Sequence, residues 1–245
     1  MNALRAFAKA LRYFSIVPVG AAAPPDAFAL GFLPLVGALV GAAAGLAGYA
    51  VFAWLHVGWW FVVAWVLAIA FTGAIHLDGF LDACDGLFAS VSPARRLEIM
   101  RDPHHGTFAI AGMAALSALW LSALASIAPA WLPLAMAFAA CTARVAALSN
   151  AWVFPYARAN GHAAAFAARP NPILAGICLA FAEVLAWWLT PAAMGIPPLA
   201  IAGALLAGWW SSRRLGGGLT GDVYGAIVAS GETVVLLSLA VLVAR

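Results

Sequence analysis

Along the chain, long apolar stretches alternate with short segments that collect nearly all of the charge. A helix crossing roughly 30 Å of hydrocarbon needs about 20 apolar residues. Runs of that kind fall at 29–54, 58–77, 107–127, 132–154, 173–190, 195–212 and 223–244. The pattern predicts an all-α, polytopic membrane bundle of about seven spans; two runs are short or flanked by Pro and Gly, which widens the range to about six to eight. Ahead of them, "MNALRAFAKALRYFSIVP" interleaves Arg5, Lys9 and Arg12 at helical spacing with Leu4, Phe7, Ala8, Leu11 and Phe14. This reads as an amphipathic helix on the membrane surface that ends near Pro18, since a signal peptide would segregate its charge from its apolar run.

Composition leads to the same solvent. The chain is 66% hydrophobic and 9% charged, where an ordinary soluble domain is about 25% charged. A lipid bilayer is therefore the expected partner. A net charge of +3 gives no argument for nucleic acid. Cys84, Cys141 and Cys178 show no CxxC spacing and read as small packing residues. Residues 1–245 read as one membrane domain, and homo-oligomerisation is left open.

With seven spans, Arg5, Lys9, Arg12, Arg95, Arg96, Arg101, Arg158, Arg169, Arg213 and Arg214 all fall on one side. The positive-inside rule then places the N-terminus and the loops between spans 2–3, 4–5 and 6–7 in the cytoplasm. Gly37, Gly41 and Gly45 form a small-residue stripe suited to close helix packing.

The chemistry starts at "HLDGFLDACDGLF", residues 76–88, which holds three of the nine acidic residues. At 100° per residue, Asp78, Asp82 and Asp85 lie within about 60° of one another, while the large apolar residues gather on another side. Gly79 and Gly86 flank that face, and each costs about 1 kcal/mol against alanine in a helix. Their presence implies that something bulky approaches the backbone there. Three carboxylates in register at a low-dielectric boundary need a compensating cation or raised pKa values. Oxygen ligands without a Cys/His cluster point to Mg2+, held partly by substrate phosphates.

Other polar groups fall on the same predicted side. In "SVSPARRLEIMRDPHHGTF", Ser92 caps a short helix, Pro93 opens it and Pro103 stops it. Glu98 and Asp102 share a face there, with Arg95 and Arg101 as candidate ion-pair partners. His104 and His105 suit hydrogen bonding or phosphate contact better than a shared metal. "RVAALSNAWVFPYARANGHAAAF" puts Arg144 inside a span and Arg158, Asn160 and Gly161 beyond it. An intramembrane arginine is a functional candidate by default. "RRLGGGLTGDVYGA" offers a glycine-rich turn able to cradle phosphate and Asp222 as a further metal ligand.

Carboxylates, arginines and a glycine loop on one face suggest phosphoryl chemistry on an amphiphilic substrate. The residues alone leave open a phospho-group transferase, a prenyltransferase with an Asp-rich diphosphate motif, and a cation transporter. "TGAIHLDGFLDACDGLFAS", "RRLEIMRDPHHGTFA", "PYARANGHAAAF" and "GGLTGDVYGA" resemble, in order and spacing, the motifs of the cobalamin synthase family, the adenosylcobinamide-GDP ribazoletransferases. The resemblance covers effectively the whole chain.

It implies a multi-pass enzyme of a bacterial or archaeal cytoplasmic membrane, acting late in cobalamin biosynthesis. The enzyme would join adenosylcobinamide-GDP to α-ribazole or its 5′-phosphate, release GMP and require Mg2+. Carried over, Asp78, Asp82, Asp85 and Asp222 are the expected metal ligands. Asp82 or Asp85 would take the proton of the attacking ribose hydroxyl. Arg101, Asp102, Arg144, Arg158, Gly161 and Thr220 would bind substrate.

Overall fold

A computed structural model describes residues 2–20, 23–157 and 169–243. Helix α1 (Ala3–Phe14) starts at Asn2, whose side chain accepts from the Arg5 N–H, and buries Ala6, Ala10 and Phe14. It therefore lies against the bundle along its apolar face. The short α2 (Ala27–Leu30) is capped by Asp26, which also pairs with Lys9 at 3.2 Å. The Ala29 N–H, helped by Lys9, holds the Asp26 carboxyl below the usual carboxylate range.

Among the described residues, six helices are long and apolar enough to cross a membrane: α3 (Leu33–Leu55), α7 (Thr107–Ser126), α8 (Leu132–Val153), α9 (Pro172–Leu189), α10 (Ile196–Leu215) and α11 (Gly221–Val243). Short 3-10 turns, Pro129–Trp131 and Pro191–Gly195, lead into α8 and α10. The chain is thus a polytopic helical membrane protein, with boundaries within a few residues of those predicted.

The central helix is α8: its membrane-length stretch is 83% buried, against 22% for α7 and for α9. Lipid supplies no hydrophobic drive between helices, so close approach depends on small residues. Gly41 and Gly45 of α3 lie against the Met136 and Leu132 carbonyls of α8, and Gly37 lies against the Arg144 side chain. A Cβ at any of the three would collide, so the glycine stripe does serve helix packing. Cys84, Cys141 and Cys178 are all buried and free, in keeping with a packing role.

The predicted span at 58–77 is not one helix. Instead α4 (Trp60–Phe71) ends after 12 residues, and α5 (Ile75–Phe88) leaves it at 87°. Twelve residues rise only about 18 Å, short of the hydrocarbon thickness. The break is a Schellman cap: Gly73 N–H donates to Ala70 O and Ala74 N–H to Ile69 O, both at 2.9 Å. Gly73 and Ala74 have φ of 60° and 58°, and the Thr72 hydroxyl donates to Ile69 O at 2.9 Å. The segment after α1 covers the break, with Ile16 N–H donating to Phe71 O at 2.9 Å. The acidic residues therefore ride on a separate helix rather than on the end of a span.

Helix α6 (Pro93–Ile99) follows, with Ser92 as its cap. A Cβ on Gly216, at the end of α10, would lie 3.5 Å from Pro93, and burial together with the nearby Arg214 guanidinium lowers the pKa of Arg96. The loops after α5 and α10 thus share one end of the bundle, as the basic-residue pattern requires.

Candidate active site

Helix α5 packs against α11 through two glycines. A Cβ on Gly79 would stand 3.0 Å from both Cα and O of Asp222, and one on Gly225 would stand 3.2 Å from Gly79 Cα. The bulky neighbour implied by Gly79 is thus the α11 backbone, and at Gly86 it is the Met100 side chain. Neither glycine is kept clear for a ligand. The contact seats Asp222, in the first turn of α11, beside the α5 segment that carries Asp78 and Asp82. An acid in a first turn also complements the helix dipole.

The three α5 carboxylates sit in different environments. Asp78 is exposed, Asp82 half-buried and Asp85 buried. Asp85 accepts from Gly106 N–H at 2.5 Å and Ala109 N–H at 3.0 Å, so it caps α7 from another helix. Gly106 offers α7 no side-chain cap of its own. Asp85→Ala should therefore cost about 1–3 kcal/mol of stability, a lost cap plus unpaired buried donors. Thermal unfolding in detergent would show it, and an unchanged midpoint would refute the capping role.

The two histidines face different acids. His104 Nδ1 lies 2.8 Å from Asp102, whose carboxylate also accepts from the His104 N–H. That backbone bond, then the ring, hold the exposed Asp102 carboxyl below its usual range. His105 instead faces Asp82, Nδ1 to Oδ1 at 3.8 Å. Arg101 is exposed, and Glu98 pairs with Arg95 at 2.8 Å. Arg96 turns inward and donates to Gly86 O and Leu87 O, closing the C-terminus of α5. Burial, with Arg214 nearby, lowers its pKa.

Thr220 is fully buried and caps α11, its Oγ1 accepting from Val223 N–H at 3.4 Å. The glycine-rich turn is committed to backbone structure. Gly217 N–H donates to Ser212 O, while Leu219 and Ala157 bridge the turn to the segment after α8. Arg158 and Gly161 lie outside the described residues. Arg144 is not displayed on the acidic face: it is 2% exposed and paired with Glu232 of α11. Sequence reading passed over Glu232, although an acid within an apolar run opposite an intramembrane arginine was the available signal.

Among the described residues, no three His, Cys, Asp or Glu side chains converge as a metal-binding group. A protein-only cage is therefore not preformed. Mg2+ does not demand one, because it keeps waters and takes one or two carboxylates beside substrate phosphates. One or two of Asp78, Asp82 and Asp222, on two touching helices, would meet that requirement, whereas the oxygens of Asp85 already serve α7.

A family model described as cobalamin-5-phosphate synthase matches residues 6–240. A Deinococcus radiodurans protein is 39% identical over 166 residues, covering 67% of this chain and 58% of that protein. A Bradyrhizobium diazoefficiens protein is 36% identical over 240 residues, 93% of this chain and 90% of the relative. For one from Citrobacter koseri the figures are 33% over 211 residues, 84% and 85%. All three are named adenosylcobinamide-GDP ribazoletransferase. No solved structure matches the chain. The family match takes in the acidic helix, the loop of paired histidines and the start of α11 together, and the chain belongs to the cobalamin-5-phosphate synthase family.

Proposed function

We propose that this chain, as an adenosylcobinamide-GDP ribazoletransferase, works at the end of the bundle where α5 meets α11. It joins adenosylcobinamide-GDP to α-ribazole or its 5′-phosphate and releases GMP. The observation that carries the reading is the Gly79–Gly225 contact, which sets Asp222 beside the turn bearing Asp78 and Asp82. Two facing helices thus offer carboxylates at a helix N-terminus, a place suited to phosphate and its counter-ion. Mg2+ would be held by one or two of Asp78, Asp82 and Asp222 together with substrate phosphates. Bound there, the ion would neutralise charge on the diphosphate.

A ribose hydroxyl of the acceptor attacks the phosphorus joined to the corrinoid arm. A P–O bond forms to that hydroxyl oxygen. The bond from the same phosphorus to the bridging oxygen breaks, and GMP departs with the electron pair. The proton passes to a carboxylate, and Asp82 suits this better than Asp85. It is partly open and faces His105, whereas Asp85 is buried and accepts two backbone N–H groups. Arg101, Asp102, Arg158 and Gly161 remain the substrate-binding residues of this reading. In this reading the end lies in the cytoplasm of a bacterial or archaeal cell, where nucleotide substrates are made, and the positive-inside pattern supports that orientation.

Purified protein in detergent should release GMP from adenosylcobinamide-GDP only when α-ribazole and Mg2+ are both supplied. Release that ignores the acceptor would overturn the transfer, and release in chelator would overturn the metal requirement. Diphosphate release from a prenyl donor would point instead to a prenyltransferase.

A further inference from the structure

Four helices meet at one polar point inside the bundle. Arg144 of α8 rests its side chain on Gly37 of α3 and donates to Ala140 O at 2.9 Å and to Glu232 of α11 at 2.5 Å. His76 of α5 faces the same point. A cavity of about 50 Å3 separates these groups, lined by His76, Arg144, Glu232, Thr72 and apolar residues that include Trp65 and Trp120. His76 Nε2 and Arg144 Nε are buried without a hydrogen-bond partner among the described residues. His76 is 9% exposed and Arg144 2%, so neither atom is satisfied by bulk solvent. Buried polar atoms are almost always paired, with ordered water where protein does not reach. One water needs roughly 10–15 Å3, so the cavity has room for a few.

We propose that this cavity is a hydration site, and that through it Glu232 and His76 act as positioning residues for α5. The Arg144–Glu232 pair locks α8 to α11, and water carries the lock to His76, two residues before Asp78 and six before Asp82. The far side of His76 is held as well: its ring lies within 13° of parallel to Phe14 of α1, centroids 6.4 Å apart. The N-cap of α5, Ala74, makes no side-chain hydrogen bond. The node thus sets the rotation of α5 that turns Asp78 and Asp82 toward Asp222. This inference rests on reading those acids as the reactive face.

The test uses the full chain in lipid nanodiscs, with hydrogen exchange of the peptide covering 75–88 read beside steady-state kinetics. Glu232→Gln and His76→Phe should each speed α5 exchange about tenfold, since the site loosens a local unit rather than the whole fold. They should lower kcat by about 10- to 100-fold, the usual cost of a small misplacement, with KM for adenosylcobinamide-GDP within about twofold. Exchange in α9, which contributes no residue to the cavity lining, should not change. Glu232→Gln leaves a buried arginine unpaired and could fail to fold. The double variant Arg144→Met/Glu232→Met removes both charges together and avoids that penalty. It should fold, stay slow and show the same α5 loosening. Unchanged α5 exchange in the double variant and in His76→Phe, or full kcat in either, overturns the positioning role. If Asp82→Asn is itself fully active, it is the reading of the acidic face that has failed, whatever the node does.

Discussion

Asp82→Asn should lower kcat by about 10²- to 10⁴-fold, the range over which a positioned general base acts, while leaving the fold intact. The substitution keeps side-chain volume and removes one of three negative charges that crowd one helix face. The Asp82 side chain is 17% exposed and faces His105, Oδ1 to Nδ1 at 3.8 Å. Relief of like-charge repulsion should hold the thermal midpoint at or slightly above that of the parent. Asp85→Asn makes the informative contrast, because Asp85 holds the start of α7. Its expected effect is on stability first and on turnover through it. GMP release and thermal unfolding, measured on both variants, separate the two roles. A stable, fully active Asp82→Asn protein would remove α5 from the chemistry.

Much of this was legible in the chain. Apolar runs gave six of the spans to within a few residues, because backbone satisfaction in lipid leaves long helices as nearly the sole choice. The carboxylate stripe was legible through its helical period. What the run at 58–77 concealed was a cap: an apolar run signals burial, but only Gly73 in "FTGA" marks where the helix stops. That Asp85 also caps α7 was hidden, because its partners lie 21 and 24 residues away at the start of that helix. Periodicity within one helix carries no record of such contacts. The glycines beside the stripe were correctly read as sites of close approach. Their partners, the α11 backbone and Met100, are tertiary facts. The same holds for Arg144, whose place inside a span was visible while its partner Glu232, 88 residues on, was not.

Gly79→Leu should abolish turnover without touching any group that does chemistry. The atoms a side chain at 79 would meet are Cα and O of Asp222 and Cα of Gly225. These are backbone atoms of a helix, so they cannot swing aside as a flexible side chain would. The helices must separate, and Asp222 must move away from Asp78 and Asp82. Overpacking of this kind costs about 1–3 kcal/mol, partly offset by about 1 kcal/mol from replacing a helical glycine. The protein should therefore still fold. Activity is the sensitive quantity, because a displacement of about 1 Å at a reacting centre can cost about 100-fold. Gly79→Ala should fall between parent and Gly79→Leu. A Cβ on Gly203 of α10 would meet nothing within 4 Å among the described residues, so Gly203→Ala gains helix propensity without a clash and should leave turnover unchanged. GMP release across this series reads the closeness of α5 to α11. Full activity in Gly79→Leu would show that the carboxylates of the two helices do not act together.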